Sequence, residues 1–369
     1  MAAPKRVQIA DDALSADSAY RLACAGTGLL WRGDFQNARQ LLQALARRID
    51  RPRKVKRKPA GTSEIADNVS PFHLHRQTQS QRARTLGMLL VQVEADRSIA
   101  LRRAPDWSAA LRQAWGEDGG QQTTARVVPL RELLGVVGAY EWRKNGIEIA
   151  ALGAAPKNRI HPHYGVYSPV RGEYLDLIAA EPLPADPTLA FDIGCGTGVI
   201  AALLARRGIA RVTATDVDAR AIRCALDNLD RLGLREQVEV LQGDLFPPGR
   251  APLVVCNPPW LPARAAVPIE LAIYDEDSRM LRGFLEGLGA HLSERGEGWL
   301  ILSDLAEHLQ LRSRAELLGW IEAAGLVVLG QRHGVPHHPK VNDVSDPLHE
   351  ARAKERTTLW RLGVAAAGA

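Results

Sequence analysis

Long hydrophobic runs are missing from this chain of 369 residues, since no stretch of about 18 consecutive apolar residues occurs. We therefore expect no insertion into a membrane. The first ten residues include Lys5 and Arg6 and lead into Asp11 and Asp12, not into the apolar core of a signal peptide. The sequence thus predicts a cytoplasmic protein.

Cysteine is scarce and dispersed. The four cysteines contain no C-x-x-C pair, which argues against a disulfide framework and against a zinc site; they are Cys24, Cys195, Cys224 and Cys256. His161 and His163 form a candidate metal pair, but no carboxylate or cysteine at ligand spacing accompanies them. We predict no metal site.

The length and the charge distribution indicate two domains. A chain of this length exceeds one ordinary hydrophobic core. Residues 1–160 carry a net charge of +11 and residues 161–369 one of −6, and the densest basic run is 47–58. Such a run can neutralise nucleic-acid phosphates or serve as a solvated linker. The Pro and Gly content of 151–165 predicts a boundary between a basic accessory domain, 1–160, and a second domain, 161–369.

Helical spacing of apolar residues dominates the start of the accessory domain. We expect two helices within 11–49, with a break at Gly26, Gly28 and Gly33. Further on, the patterns predict a strand hairpin flanked by helices, in the ranges 79–86 (helix), 89–93 and 98–102 (strands) and 131–140 (helix). The accessory domain is therefore predicted to be α+β.

A short apolar strand over 188–193 runs into a glycine-rich turn and then an apolar helix, which is the first unit of a Rossmann-like fold. Gly194, Gly196 and Gly198 allow the backbone to turn sharply and pass close to a ligand. Asp192 precedes them, and a carboxylate at this position suits the amino group of a ligand better than a pyrophosphate. The ligand is therefore expected to carry a positively charged group.

Two further strands also end in acids. The strand 211–216 ends at Asp216, where such folds place the carboxylate that binds the ribose hydroxyls. The strand 238–242 leads to Asp244, which is a candidate acceptor for an adenine amino group. A fourth strand, 253–256, is followed by Asn257-Pro258-Pro259-Trp260, so four strand ends are expected to face one pocket.

Together these residues resemble the ordered motifs of class I S-adenosylmethionine-dependent methyltransferases. N-P-P-[YFW] is the catalytic signature of the amino-methyltransferase branch, which includes release-factor glutamine, ribosomal RNA guanine-N2 and DNA adenine-N6 methyltransferases. The resemblance covers about residues 160–330 and implies an α/β fold with a seven-stranded Rossmann-like sheet. It implies S-adenosylmethionine as the cofactor, held by Asp192, Gly194, Gly196, Gly198, Asp216 and Asp244.

The tetrapeptide has a chemical rationale. An amide or exocyclic amine is a weak nucleophile, so the site must hold its nitrogen in line with the methyl group. The side-chain oxygen of Asn257 and the carbonyl of Pro258 can each accept one N–H, and Trp260 offers a flat face for stacking. We therefore predict Asn257, Pro258, Pro259 and Trp260 as the catalytic residues.

The segment 161–175 resembles the aromatic-x-Pro segment that precedes the catalytic domain in release-factor and ribosomal RNA methyltransferases and helps to close the cofactor pocket. The resemblance makes Tyr167, Arg171 and Glu173 further candidates, with Tyr167 and Arg171 assigned to cofactor binding. The sequence has Val170-Arg171-Gly172-Glu173 where the glutamine enzymes typically have Arg-Pro-Glu-Thr.

Downstream patterns complete the expected sheet, with 326–329 and 357–362 as an antiparallel pair, and 334–356 as a loop that carries His337 and His338. Three interpretations of the function remain. The basic first half and the resemblance to two-domain guanine methyltransferases favour RNA as the acceptor. The alternatives are a protein glutamine methyltransferase and a non-catalytic protein that binds nucleic acid, and the last would leave an intact N-P-P-W motif idle.

Overall fold

The computed structural model describes residues 3–51, 70–116, 124–185, 187–265, 268–336 and 343–365, with the side chains of 268 and 269 outside the description. The chain divides into two compact units, Met1–Glu141 and Trp142–Ala369. This division falls earlier than the boundary expected after residue 160. The reason is that Ile149, Leu152 and Ile160 are buried in the core of the second unit, which therefore includes the segment before 161.

The first unit contains a four-stranded sheet in the order β1-β2-β3-β4. The first three strands are parallel and the fourth is antiparallel to the third. The strands are β1 (Arg6–Ala10), β2 (Thr27–Trp31), β3 (Leu89–Val93) and β4 (Arg126–Pro129). The helices are α1 (Ala16–Cys24), α2 (Phe35–Ile49), α3 (Pro71–Leu86), α4 (Ser108–Trp115) and α5 (Leu130–Asn145), the last of which continues into the second unit.

The two helices expected within 11–49 are present as α1 and α2, and the expected break lies between them. The sequence did not predict β2, which occupies that break between two parallel neighbours. Gly28 lies in β2 and allows close packing in the sheet, since an added Cβ would lie 2.8 Å from the side chain of Leu90. The strand expected over 98–102 is wrong, since this range is irregular and β3 pairs with β4 instead. Arg97, just before it, has a positive φ of 72°, which interrupts an extended backbone.

The second unit contains a seven-stranded sheet in the order β12-β13-β11-β10-β7-β8-β9, which confirms the predicted fold class. Its strands, with the two-residue pair that precedes them, are β5 (Ile147–Glu148), β6 (Arg159–Ile160), β7 (Leu189–Ile193), β8 (Arg211–Asp216), β9 (Val238–Gln242), β10 (Ala251–Cys256), β11 (Leu292–Ser303), β12 (Leu326–Gly334) and β13 (Thr357–Val364). β13 runs antiparallel to both β11 and β12, so the expected antiparallel pair is present.

Helices cover both faces of this sheet and bury two apolar clusters. They are α6 (Glu173–Ala180), α7 (Val199–Arg206), α8 (Ala219–Leu232), α9 (Arg279–His291), α10 (Leu305–His308), α11 (Arg314–Ala323) and α12 (His349–Lys354). From β7 the chain adds β8 and β9 on one side, and then crosses over to add β10 on the other. The carboxyl ends of β7 and β10 therefore flank the switch point where open α/β sheets bind ligands.

Within the described ranges, no helix combines the length and the apolar character that a membrane crossing requires.

Candidate active site

The turn between β7 and α7 is held against the next strand. The N–H groups of Gly194 and Cys195 both donate to the carbonyl of Thr215 on β8, at 2.9 and 2.8 Å. Gly194, Gly196 and Gly198 all have positive φ values, of 75°, 54° and 77°. An added Cβ would meet no atom within 4 Å at Gly196, whereas at Gly194 it would lie 2.5 Å from the Met280 methyl carbon. The turn thus leaves open space beside Gly196 and is covered at Gly194.

Asp192 lies at the end of β7 and is fully buried. Its Oδ2 accepts a hydrogen bond of 2.9 Å from the N–H of Ala201, but its Oδ1 has no hydrogen-bond partner within the described part of the chain. Burial, reinforced by the negative charge of Asp216, raises the pKa of Asp192 to about 7. A buried carboxylate oxygen without a partner is costly, so this atom is suited to receive a donor or a cation.

Asp216 ends β8 and fixes two neighbouring loops. Its Oδ2 accepts from the N–H of Gly196 at 3.0 Å, and its Oδ1 accepts from the N–H of Asp218 at 2.9 Å. Burial raises the pKa of Asp216 despite these bonds. Each carboxylate oxygen keeps further acceptor capacity, so the group can still bind a hydroxyl pair.

Asp244 follows β9 and is exposed. It lies 3.5 Å from the guanidinium of Arg279, an exposed pair of the kind that adds little stability. Both residues line a cavity of about 320 Å³. Leu245 and Met280 line the same cavity, and Met280 also lies against Gly194. The cavity therefore adjoins the glycine-rich turn.

The register of the sheet brings the N-P-P-W motif beside the glycine-rich turn. Cys256 at the end of β10 pairs with Ile193 at the end of β7, so Asn257 and Gly194 are the next residues on two adjacent parallel strands. The indole N–H of Trp260 donates to Oδ1 of Asn257 at 2.9 Å. The side chain of Asn257 is thus oriented from within its own motif and keeps acceptor capacity on Oδ1.

Arg171 and Glu173 lie in a buried ionic cluster. Arg171 donates to Glu173 at 2.8 Å and to Glu355 at 3.0 Å, and its guanidinium lies 4.8 Å from the centroid of the Trp260 ring. Tyr167 is about one-third exposed, and its pKa is raised by desolvation. Arg171 therefore lies beside the N-P-P-W motif, and its guanidinium is bound by two glutamates of the protein.

His161 and His163, the candidate metal pair, both contact other residues of the protein. His163 Nε2 lies 2.8 Å from Asp227, which also pairs with Arg143 at 2.7 Å, and burial together with the Arg143 charge lowers the pKa of His163. His161 donates from Nδ1 to the carbonyl of Arg143. Among the described residues, no group of three or more His, Cys, Asp or Glu side chains could hold a metal ion.

Some of the expected residues lie outside the described part of the chain. These are most of the basic run, from 52 to 58, and both His337 and His338. Conversely, sequence reasoning missed Met280 and Asp275. The buried Asp275 carboxylate accepts from the N–H groups of Met280 and Leu281 at 3.0 and 3.1 Å, which fixes the start of α9 over Gly194. An acid a few residues before an apolar helix was the available signal.

The fold and the strand-end motifs of the second unit are similar to those of Rossmann-like methyltransferases, and comparison with known proteins agrees with that class. Residues 157–310 match the family described as the methyltransferase small domain. This match confirms the resemblance to methyltransferases for that part of the chain.

Individual relatives match over about a third of the chain. Ribosomal RNA large subunit methyltransferase G of Vibrio cholerae is 34% identical over 143 residues, which cover 32% of this chain and 37% of that protein. Release factor glutamine methyltransferase of Moorella thermoacetica is 36% identical over 112 residues, which cover 29% and 40%. The chain thus spans less than half the length of these curated relatives.

Among solved structures, the ribosomal protein L11 methylase of Lactobacillus delbrueckii subsp. bulgaricus is similar with a TM-score of 0.34 and 17% identity. The similarity covers 52% of this chain and 74% of that one.

Proposed function

We propose that this chain binds S-adenosylmethionine at the carboxyl ends of β7, β8 and β9 and transfers its methyl group to a nitrogen atom held by Asn257 and Pro258. The observation that carries the proposal is the pairing of Cys256 with Ile193, which places the N-P-P-W motif directly beside the glycine-rich turn. A donor bound on that turn and an acceptor bound on the motif would therefore be neighbours.

The residues at the turn fit this cofactor. The unpartnered Oδ1 of Asp192 suits the cationic amino group, and the open space beside Gly196 leaves room for a ligand close to the backbone. Asp216 would hold the ribose hydroxyls, and Asp244 would accept from the adenine amino group at the cavity that it lines. When bound, the cofactor supplies an electrophilic methyl group on a sulfonium centre.

The protein's own residues position the acceptor. Oδ1 of Asn257, already fixed by the Trp260 indole, accepts one N–H of the acceptor, and the carbonyl of Pro258 accepts the other. Two such contacts aim the nitrogen lone pair at the reacting carbon, and this orientation supplies much of the rate enhancement. The nitrogen would attack the methyl carbon as the carbon–sulfur bond breaks, so the thioether of S-adenosylhomocysteine would leave. No general base is essential, because the methylated nitrogen would be strongly acidic and would lose its proton to water.

RNA is the favoured acceptor. The charge of +11 over residues 1–160 supplies the attraction for phosphates that an accessory RNA-recognition domain needs. The name of the Vibrio cholerae relative also points to ribosomal RNA. A protein glutamine acceptor is the second candidate, supported by the relative named release factor glutamine methyltransferase.

In this proposal the first unit recognises the substrate, and the second unit, which includes the segment before residue 161, performs catalysis in the cytoplasm.

The experiment that separates the acceptors is transfer of tritium from methyl-labelled S-adenosylmethionine to RNA and protein fractions of cells from the same source. Label in RNA, removed by ribonuclease and absent with Asn257→Ala, supports the RNA proposal. Label confined to a protein band makes the glutamine alternative the function. A parent protein that binds the cofactor but labels neither fraction contradicts the proposal.

A further inference from the structure

Arg171 occupies a confined position between two carboxylates and an aromatic ring. Its Nε donates to Glu173 and its Nη2 donates to Glu355, at 2.8 and 3.0 Å, and the guanidinium lies 4.8 Å from the centroid of Trp260. The side chain of Arg171 is 13% exposed, and those of the two glutamates are 4% and 1% exposed. The three charges are thus held away from water.

The two carboxylates are themselves fixed by the end of β11 and the start of β13. Ser303 donates from Oγ to Glu355 at 2.7 Å, and Thr357 donates from Oγ1 to Glu173 at 3.4 Å. Burial on its own lowers the pKa of Arg171, but the nearby carboxylates outweigh it and hold the pKa above its usual value. The guanidinium therefore stays charged and keeps its planar orientation.

The same guanidinium is adjacent to the predicted acceptor site. It lies over the ring of Trp260, and the indole N–H of Trp260 donates to Asn257 Oδ1 at 2.9 Å. Trp260 also packs against the apolar clusters on both faces of the sheet. These contacts fit a tryptophan that orients Asn257 better than one that offers an open face for stacking.

We propose that Arg171 is a positioning residue of the acceptor site, acting through Trp260 to hold the amide of Asn257 in its productive orientation, and that it is not a ligand of the cofactor. This inference rests on the proposed methyl transfer and assigns a different role to Arg171 from the one that the family resemblance implied. The planar fork of arginine is required, because lysine cannot bind two carboxylates and cover an aromatic ring at once.

The test compares Arg171→Lys with the parent in cofactor affinity, measured by calorimetry, and in kcat and KM for the acceptor. Loss of the orientation of Asn257 should lower kcat by roughly ten- to a hundredfold, because small misplacements at a reacting centre are that costly. The dissociation constant for S-adenosylmethionine should stay within about twofold of the parent value, which is within ordinary mutational variation.

The chain offers a matched control in Arg314, whose guanidinium lies 5.2 Å from the Trp360 ring and whose Nε lies 2.9 Å from Glu307. Arg314→Lys removes the same kind of interaction among arginine, tryptophan and glutamate. The tryptophan in this case lies on β13, two strands from β10 in the sheet. Arg314→Lys should leave kcat at the parent value. Thermal unfolding of both variants then separates a loss of stability from a loss of orientation.

A double-mutant cycle shows whether Arg171 acts through Trp260. Trp260→Phe removes the indole N–H that reaches Asn257, so adding Arg171→Lys to it should change kcat by no more than about twofold. Additive losses, or an Arg171→Lys protein with the parent kcat, would overturn the inference. So would a weakened cofactor affinity with kcat preserved, because that result makes Arg171 a cofactor ligand.

Failure of the proposed function would give a different result from failure of the present inference. If the proposed function is wrong, the parent protein transfers no methyl group. If only the present inference is wrong, the parent is active and Asn257→Ala is inactive. If Arg171→Lys does not fold, Glu355→Gln removes one ion pair of the guanidinium while its side-chain oxygen can still accept from Ser303. It should lower kcat in the same direction, and parent-like kcat in that variant also contradicts the inference.

Discussion

The indole N–H of Trp260 donates a 2.9 Å hydrogen bond to the side-chain oxygen of Asn257, so the first and last residues of the N-P-P-W motif are tied to each other. An amide without such a partner can rotate about its terminal torsion, which has a broad energy profile. The bond therefore makes Asn257 a preorganised acceptor of hydrogen bonds, and preorganisation is what a weak nitrogen nucleophile requires.

The proposed ribose interaction makes Asp216 the first target for mutation. Asp216→Ala should weaken binding of S-adenosylmethionine by roughly ten- to a hundredfold, since hydrogen bonds to a charged group contribute about 1.5 to 3 kcal/mol. Calorimetry on the purified protein measures this change. Unchanged affinity in a folded variant would contradict the assignment.

Asp216 also accepts from the N–H of Gly196, so a structural effect must be separated from the removal of a ligand-binding group. Asp218→Ala is a suitable control, because the Asp218 carboxylate caps the same region through the N–H of Arg220 without being assigned to the cofactor. Asp218→Ala should leave the affinity for S-adenosylmethionine near the parent value. It should change thermal stability about as much as Asp216→Ala does.

The raised pKa of Asp192 predicts a pH dependence of stability. Because the pKa rises from 3.8 to about 7 on folding, the folded state favours the neutral carboxyl. The contribution of Asp192 to the free energy of unfolding is therefore fully present below pH 3.8 and is lost as the pH rises through about 7. Chemical unfolding of the cofactor-free protein across this pH range should show the decrease in stability. In Asp192→Asn, the part of the decrease that comes from Asp192 should be absent.

The same group predicts proton release on binding. A cationic amino group beside Asp192 favours the ionised carboxylate, so below pH 7 binding of S-adenosylmethionine should expel a proton and become tighter as the pH rises. Calorimetry in buffers of different ionisation enthalpy counts that proton. Binding to the parent protein with no net proton release at pH 6 would show that Asp192 does not face the amino group.

The basic run predicts a salt dependence. If its side chains bind phosphates, the slope of log affinity for RNA against log salt should flatten by about 0.7 for each phosphate that is no longer neutralised. The variant changes six residues to Gln, namely Arg51, Arg53, Lys54, Lys56, Arg57 and Lys58. Binding of RNA across a salt series measures the slope.

A charge-preserving control exists for this experiment. Changing Arg51, Arg53 and Arg57 to Lys keeps the net charge of the run, so the slope should remain that of the parent. Identical slopes for the parent and the Gln variant would identify the run as a solvated linker and favour a protein substrate.

The sequence predicted the second unit better than the first. The strands β7 to β10 are short apolar runs that end in acids or in the N-P-P-W motif, and the seven-stranded sheet followed from the class they resemble. The strand β2 was missed because it lies between two neighbours and is mostly buried, so its residues do not alternate between apolar and polar.

Interactions between distant parts of the chain were beyond sequence reasoning. Arg171 was recognised as a site residue from its segment, but its partner Glu355 lies 184 residues away and belongs to no motif. Likewise, nothing in the sequence indicated that Met280 lies against Gly194. Local patterns specify the strand ends, whereas tertiary packing decides which side chains meet above them.

The most direct test of the whole account is a single-turnover assay of Asn257→Ala beside a calorimetric measurement of its cofactor affinity. Because Asn257 is assigned to the acceptor and not to the adenosine, methyl transfer should be abolished while the affinity for S-adenosylmethionine stays within about twofold of the parent. Methyl transfer within about a factor of two of the parent rate would contradict the amino-acceptor mechanism.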